Sequence, residues 1–316
     1  MTADNLVIYH TPVMVTEVIH YLGVRLGGLY GDLTCGEGGH SLAILEAAAP
    51  GGRILSLDAD PDMLVVAARR LQHYKDSVTF INNNFSQVAK VAEEQRFTSF
   101  DGLLMDLGIS SRQLELESKG ISFLRGPLDM RLDPEQELTA EEIVNTYDEK
   151  ELAHIFSTYG EEPRARRIAA AVVRSRPLSS SPELAEVIVK AVGGRHSRSH
   201  LHPATRAFQA LRYEVNDELN SVRTGLEQAV DLLSPTGRLV VLAYESLTDR
   251  EVKTYFKRES TNCICPPHVV ECQCGHKARV RLVSRKIVSP SEEEVRTNPR
   301  SRSARLRVVE GLQADN

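Results

Sequence analysis

The sequence predicts an α/β fold in which a mostly parallel sheet carries helices on both faces and is interrupted by an all-helical insertion. Three observations carry that expectation. Short apolar runs alternate with segments of helical periodicity from Thr11 to Asp106, the pattern of strands joined by crossover helices. Each run ends in glycine or polar residues. From Leu114 to Arg212 no strand pattern is found and helix-start signals take over, until the apolar run Arg238–Ala243 resumes the sheet.

Taken in order, Thr11-Pro12 predicts a helix cap with proline in the first turn, and Met14, Val15, Val18, Ile19 and Leu22 extend that helix over 12–22. Leu29–Leu33 predicts the first strand. Tyr30–Ser41 reads Y-G-D-L-T-C-G-E-G-G-H-S, a glycine-rich turn that opens a second helix at Ser41. Arg53–Leu57 is a second strand stopping at Asp58, and Pro61 starts a helix through Met63, Leu64, Ala67 and Leu71. Val78–Ile81 predicts a third strand ending at Asn84-Phe85, and Phe100–Met105 a fourth ending at Asp106-Leu107-Gly108. In the insertion, Thr139-x-x-Glu142 and Asp148-x-x-Glu151 fit capping boxes, and Ser181-Pro182 fits a cap with a first-turn proline. Val215–Leu233 predicts a long helix, Ser234–Gly237 a turn, and Arg238–Ala243 a fifth strand. Thr248-x-x-Glu251 predicts the cap of a further helix, and the alternation in Ala278–Val283 a late edge strand. The expected organisation is a sheet domain over 1–113 and 213–297, a helical insertion over 114–212, and a basic, extended or poorly ordered tail over 298–316.

Composition narrows the class. A chain of 316 residues with 41% hydrophobic and 26% charged residues has the makings of a sizeable core. No apolar run approaches the ~20 residues that span a bilayer, and MTADNLVIYH lacks the basic and apolar regions of a signal peptide. No membrane association, a cytoplasmic location and reduced cysteines are therefore expected. The formal net charge of -5 excludes a protein that coats nucleic acid indiscriminately. Yet ten Lys and Arg stand against three Glu between His276 and Arg307, and Arg164, Arg166, Arg167, Arg174 and Arg176 form a second basic cluster. Each cluster fits a chosen phosphate contact or a plain solvated face.

In a parallel sheet the ligand sits beyond the carboxyl ends of the strands, so the residues there decide the chemistry. They are all polar: Gly36–His40, Asp58, Asn84-Phe85, Asp106 and Tyr244-Glu245. Alone, the glycine turn also fits a surface loop without a ligand. Asp58, however, lies at the distance after the turn where a carboxylate accepts hydrogen bonds from ribose hydroxyls, and Phe85 is placed to abut an adenine. The spacing Gly36-x-Gly38-Gly39 is not the dinucleotide fingerprint and suits a ligand without pyrophosphate. S-adenosylmethionine fits these residues better than a nicotinamide cofactor.

Several segments together are similar to the ribosomal small-subunit RNA methyltransferase H family, formerly called MraW. They are His10-Thr11-Pro12-Val13, Gly36–Ser41, Leu57–Pro61, Asp101–Ser111, Gly126–Arg131, Tyr159–Glu162, His202–Arg206 and Asn298–Ala304, in register over nearly the whole chain. The resemblance implies a class I S-adenosylmethionine-dependent methyltransferase, Rossmann-like, with an inserted helical recognition domain. It also implies methylation of the exocyclic N4 of a cytidine in the decoding region of 16S rRNA, with the small ribosomal subunit as partner. Its cofactor contacts fall on Gly38, Gly39, His40, Asp58, Phe85, Asp106 and Gln113. Where the family pattern runs S-[FY]-H-S-L-E-D-R, this chain has A-Y-E-S-L-T-D-R over 243–250, so Glu245 replaces a histidine. An amino-methyltransferase acting on DNA or a small molecule, and a non-catalytic RNA-binding assembly factor, stay open beside this reading.

Asp106 is the candidate catalytic residue, either orienting the amine or only binding the cofactor. His40 is expected to act through its backbone N–H. Arg131, Arg164, Arg167, His202 and Arg206 are the candidate RNA contacts, with local salt bridges as the alternative. Cys263-x-Cys265 and Cys272-x-Cys274 have the composition of a tetrahedral structural zinc site, with free thiols as the alternative. Cys35 is expected to pack, because methyl transfer to an amine needs no covalent intermediate.

Overall fold

The computed structural model describes residues 10–193, 202–269 and 271–312. Its first part reads α1 (Val15–Leu22), β1 (Leu29–Asp32), α2 (Gly39–Ala48), β2 (Arg53–Asp58), α3 (Pro61–Arg70), β3 (Val78–Asn82), α4 (Val88–Glu94) and β4 (Phe100–Leu107). Helices then follow without a strand among the described residues: α5 (Ser111–Glu115), α6 (Ala140–Thr146), α7 (Glu149–Thr158), α8 (Ala165–Arg174), α9 (Ser181–Val192) and α10 (Thr205–Val215). The chain continues with α11 (Glu218–Asp231), β5 (Leu233–Ala243), α12 (Ser246–Glu259), β6 (Val280–Leu282), α13 (Glu292–Thr297) and β7 (Arg305–Gly311). It divides into two compact units, Met1–Gly108 with Ser221–Asn316, and Ile109–Asn220. The helical unit thus begins and ends outside the expected 114–212.

The first unit is built on one seven-stranded sheet of order β3-β2-β1-β4-β5-β7-β6. All neighbours from β3 to β5 are parallel, and β7 runs antiparallel to both β5 and β6. This is the class I methyltransferase arrangement of a doubly wound sheet. Successive strands move outward from β1 to β3 and then restart at β4 on the other side of β1, so the crevice opens at the carboxyl ends of β1 and β4. The central strands are apolar because both faces are covered. On one face Leu55, Leu57, Leu103 and Met105 pack with Val88 and Val91 of α4, Leu226 of α11 and Phe256 of α12. On the other, Ile54, Leu104 and Val240 pack with Val18 and Leu22 of α1 and Ile44 and Leu45 of α2. The switch of face between Leu103 and Leu104 is the period-two alternation of a strand.

The helical unit has its own core, in which Leu128, Ile143, Phe156, Ile168, Ile188 and Leu211 are buried. Its α7 starts on a reciprocal cap: Glu151 N–H donates to Asp148 Oδ1 (2.8 Å) and Asp148 N–H donates to Glu151 Oε2 (2.6 Å). Helix α9 is capped by Ser180 rather than Ser181, with Glu183 completing the box.

Four local expectations are corrected. Helix α1 begins at Val15 behind Met14 in the left-handed region (φ 55), so Thr11 is not its cap. The expected helix Val215–Leu233 is broken at Asn216-Asp217, where Asp217 has φ 46, and α11 starts at Glu218. Helix α12 starts at Ser246, which places Thr248 inside it. The largest difference is the tail. Pro299–Ser303 form a tight turn of helix and Arg305–Gly311 form β7, in the sheet between β5 and β6. In β7, Arg305 and Arg307 alternate with buried Leu306 and Val308 and share one carboxylate: Arg307 Nε (2.6 Å) and Arg305 Nη1 (3.1 Å) both donate to Asp249. Residues 313–316 of the expected tail lie outside the described residues.

Candidate active site

The floor of the crevice is a buried polar cluster at the end of β1. Asp32, with no exposed surface, accepts from Ser41 Oγ at 2.7 Å, and Ser41 Oγ lies 3.0 Å from Ser56 Oγ. Desolvation pushes the Asp32 carboxyl up, opposed by His40 and Ser41. This cluster ties the start of α2 to the ends of β1 and β2 from below. Above it the turn closes on itself: Cys35 N–H donates to the Leu57 carbonyl (2.7 Å), Gly38 N–H to the Cys35 carbonyl (2.8 Å), and Gly36 N–H to Asp58 Oδ2 (2.7 Å).

The three glycines of the turn differ in what they face. Gly38 has φ 74, and a Cβ there would overlap Leu71 and lie 3.1 Å from Ala67 Cβ. A Cβ on Gly39 would come within 2.9 Å of Pro12 Cγ. Both glycines are thus required by packing, and their backbone alone is available to a ligand. Gly36, at φ 52, has nothing within 4 Å of its Cβ position.

Asp58 closes the second strand. Its Oδ1 accepts from Asp60 N–H (2.9 Å) and its Oδ2 from Gly36, and desolvation pushes its carboxyl up to about 7 against those two donors. The side chain keeps part of its surface open, so its outer lone pairs remain available to hydroxyl donors.

Asp106 ends the fourth strand, and Thr34 Oγ1 accepts from its N–H at 2.6 Å. His40, only 6% exposed, faces it: Nδ1 lies 3.7 Å from Asp106 Oδ2, while Nε2 is 2.9 Å from the Val13 carbonyl. A carbonyl accepts only, so Nε2 carries a proton and Nδ1 is the atom turned to the carboxyl. The His40 ring thus faces the carboxyl of Asp106, a contact additional to the backbone role expected for it. Desolvation pushes the Asp106 carboxyl up, opposed by His40 and by a hydrogen bond from Tyr244. The other oxygen, Oδ1, is buried and has no hydrogen-bond partner among the described residues. A buried acceptor without a partner costs about 1–3 kcal/mol, so this atom is the observation that points to a ligand N–H.

A family model for the MraW methylases matches residues 7–312. The chain belongs to the MraW methylase family. Ribosomal RNA small subunit methyltransferase H of Dehalococcoides mccartyi is 51% identical over 304 residues, covering 96% of this chain and 86% of that protein. The protein of the same name from Thermomicrobium roseum is 48% identical over 316 residues, covering 99% of this chain and 96% of that one. Among solved structures, an rRNA methylase from Streptococcus thermophilus gives a TM-score of 0.44 at 9% identity over 97% of this chain and 100% of that one, too distant to bear on the site.

Within this MraW methylase the remaining expected residues divide. Phe85 is half-buried at the end of β3, and a Cβ on Gly225 of α11 would lie 2.6 Å from its ring, so the absence of a side chain there seats the aromatic. Gln113 belongs to the helical unit, where its N–H donates to Ser110 Oγ (3.1 Å) and its Oε1 accepts from Ser110 N–H (3.0 Å). Of the arginines, Arg131 is spent within its own loop: Nε and Nη2 donate to Asp129 (both 2.9 Å), and Nη1 to the carbonyls of Pro134 (3.1 Å) and Gln136 (2.6 Å). His202 stacks on Phe123 with centroids 4.3 Å apart. Arg206 Nη1 donates to the Glu161 carbonyl at 3.3 Å and Arg164 Nη1 to the Val192 carbonyl at 3.0 Å. Arg164 and Arg167 are exposed. The four cysteine sulfurs of 263–274 lie within 4.8 Å of one another.

Asp32 and Thr34 border the crevice as well, beside the strand-end residues expected there. Asp32 and Thr34 sit in the same strand-to-turn segment as the glycines, and a carboxylate inside an apolar strand was the signal for Asp32. Tyr244 was located at the end of β5, but its packing against Gly108, whose Cβ would lie 2.7 Å from the ring, follows only from the fold.

Proposed function

We infer that this chain is an S-adenosylmethionine-dependent methyltransferase of small-subunit ribosomal RNA, and that its target is the exocyclic N4 of a cytidine. The observation that carries the reading is Asp106 Oδ1, a buried acceptor at the switch point of a methyltransferase sheet. The donor set fits the cofactor: the backbone of Gly36–His40 would hold its methionine part, Asp58 would accept from its ribose hydroxyls, and Phe85 would border its adenine. The cofactor supplies an electrophilic methyl group.

The chain's own residues do the rest. The lone pair of the cytosine N4 amine is delocalised into the ring, so the amine is a poor nucleophile that must be aligned. Alignment of reactants recovers ~7–11 kcal/mol of barrier. Asp106 Oδ1 accepts one N–H of the amine, which fixes its direction of attack. With the cofactor bound, its sulfonium would give up the methyl group as the N–C bond forms, and the Asp106 carboxylate would take the proton released by the then positive nitrogen. Desolvation of that carboxyl raises its proton affinity, as this role requires. His40, held by the Val13 carbonyl, positions Asp106 from the side away from Oδ1.

The exposed Arg164 and Arg167 are the phosphate contacts this reading retains, with Arg206 beside them. Arg131 and His202 shape their loops. A small-subunit substrate places the protein in the cytoplasm. Among the described residues no helix is long and apolar enough to cross a membrane.

The test is methyl transfer from labelled cofactor to small-subunit particles, with mass mapping of the product nucleoside. N4-methylcytidine is expected, with turnover reduced ~10²–10⁴-fold in Asp106→Asn and cofactor affinity changed far less. Methyl transfer to another atom would refute the target. Unchanged turnover with weakened cofactor binding in Asp106→Asn would refute the catalytic role.

A further inference from the structure

Between the end of α12 and the start of β6, residues 260–279 form no helix or strand among those described. Structureless connections longer than about 12–15 residues are uncommon in compact domains unless something holds them. The neck of this one is closed by protein contacts. Arg279 Nε donates to the buried Glu259 carboxylate at 2.7 Å, and Ala278 N–H donates to Asn262 Oδ1 at 3.1 Å. Toward its tip no apolar cluster holds it among the described residues: Ile264 is 48% exposed. What gathers there is sulfur.

Cys263, Cys265, Cys272 and Cys274 bring their four Sγ atoms within 4.8 Å of one another. The separations of 3.5 Å for Cys272–Cys274 and 3.9 Å for Cys274–Cys263 match the ~3.8 Å edge of a tetrahedron with ~2.3 Å zinc–sulfur bonds. Backbone N–H groups point at the sulfurs: Cys265 at Cys263 Sγ, Gln273 at Cys265 Sγ, and Ile264 at Cys274 Sγ, each 3.4 Å, with His276 at Cys274 Sγ, 3.5 Å. Donors aimed at sulfur favour thiolate, and such contacts around metal-bound cysteine orient the ligands. Each C-x-C pair supplies two ligands from one strand of the loop, so a single ion bridges both sides. His276 is not a competing ligand through Nε2, which donates to the Arg258 carbonyl at 2.9 Å.

We propose that Cys263, Cys265, Cys272 and Cys274 bind one zinc ion as four thiolates, and that this ion is structural, fixing the tip of the 260–279 loop. Binding is balanced by release of four protons, one from each thiol, giving a tetrathiolate complex of charge 2−. With four protein ligands the ion has no open position for substrate, so it takes no part in methyl transfer.

The experiment uses the full chain purified without chelator from zinc-supplemented cells. Elemental analysis is expected to give about one zinc per chain, falling to near none in Cys265→Ser and Cys274→Ser and unchanged in Cys35→Ser. Cobalt(II) added to metal-stripped wild-type protein is expected to give the intense near-ultraviolet sulfur-to-cobalt band of tetrahedral thiolate coordination. Chelation of the wild-type protein is expected to open new protease cleavage sites within 260–279 while the far-ultraviolet circular dichroism is kept, which separates loss of the clip from global unfolding. Protein lacking zinc with all four thiols immediately reactive overturns the proposal, as does iron in place of zinc or a pair of disulfides among the four cysteines.

Discussion

Replacing Gly38 and Gly36 in turn by alanine separates the two jobs of the turn. At Gly38 (φ 74) and Gly36 (φ 52) an alanine enters the left-handed region, a cost of about 1–2 kcal/mol each. There the resemblance ends. The new methyl at position 38 overlaps Leu71 and sits 3.3 Å from Ala67 Cα, which belongs to the backbone of α3 and cannot rotate away. Leu71 is itself fully buried, so overpacking adds about 1–3 kcal/mol. Gly38→Ala is therefore expected to lose about 2–5 kcal/mol, and Gly36→Ala only the backbone part. Urea unfolding followed by circular dichroism measures both as shifts of the midpoint at constant slope. Cofactor titration by calorimetry should show the reverse emphasis for Gly36→Ala, whose methyl occupies open space beside Asp58: at least about a tenfold loss of affinity, or 1.4 kcal/mol. Equal stability losses in the two variants would refute the packing argument. Unaltered cofactor affinity in Gly36→Ala would refute the placement of the cofactor.

The Asp58 carboxyl, pushed up to about 7, predicts a pH dependence of cofactor binding. Ribose hydroxyls donate to the ionised form, so affinity is full above that value and falls as pH drops through it, by about tenfold between pH 8 and 6. Asp58→Asn is expected to remove that component, leaving only the titration of the cofactor's own amino group; identical profiles for the two proteins would overturn the assignment. Asp249 governs stability instead. Desolvation opposes its ionisation, but Arg307 and Arg305 together hold its carboxyl below the usual range. Its contribution is thus present above about pH 4 and lost as pH falls through the folded value. Asp249→Asn leaves both guanidinium groups without their counter-ion and is expected to cost about 2–3 kcal/mol in urea unfolding at neutral pH, less than a fully buried pair because Arg305 is part-exposed; a loss below about 0.5 kcal/mol would place the pair among ordinary surface bridges.

What the sequence disclosed followed from how plainly each element is written. Parallel strands covered on both faces are continuous apolar runs, so β2 and β4 stood out with their terminal Asp58 and Asp106. The spacing of polar ends then located the crevice. Residues whose meaning depends on a distant partner stayed hidden. Arg305 and Arg307 read as a solvated tail because Asp249, which pairs with both, lies far away in sequence. The bonds from Arg131 to Asp129 are equally invisible in the loop sequence. Ser41 and Ser56 are small polar residues of ordinary kind until Asp32 joins them in a fully buried cluster. The orientation of the His40 ring depends on the Val13 carbonyl, 27 residues earlier in the chain.

The position of β7 bears on the order in which the sheet can be completed. It follows β6 along the chain but lies between β6 and β5, so β6 has no partner until β7 has arrived. Until then β5 presents the unpaired backbone of a strand whose Leu239–Ala243 segment is wholly apolar, a template for pairing with another chain. During synthesis β1, β2 and β4, which carry the cofactor crevice, therefore leave the ribosome before the strand that covers the β5 edge. Residues 305–311 act as an internal gatekeeper, and their loss would show first as aggregation rather than as a defect in methyl-donor binding.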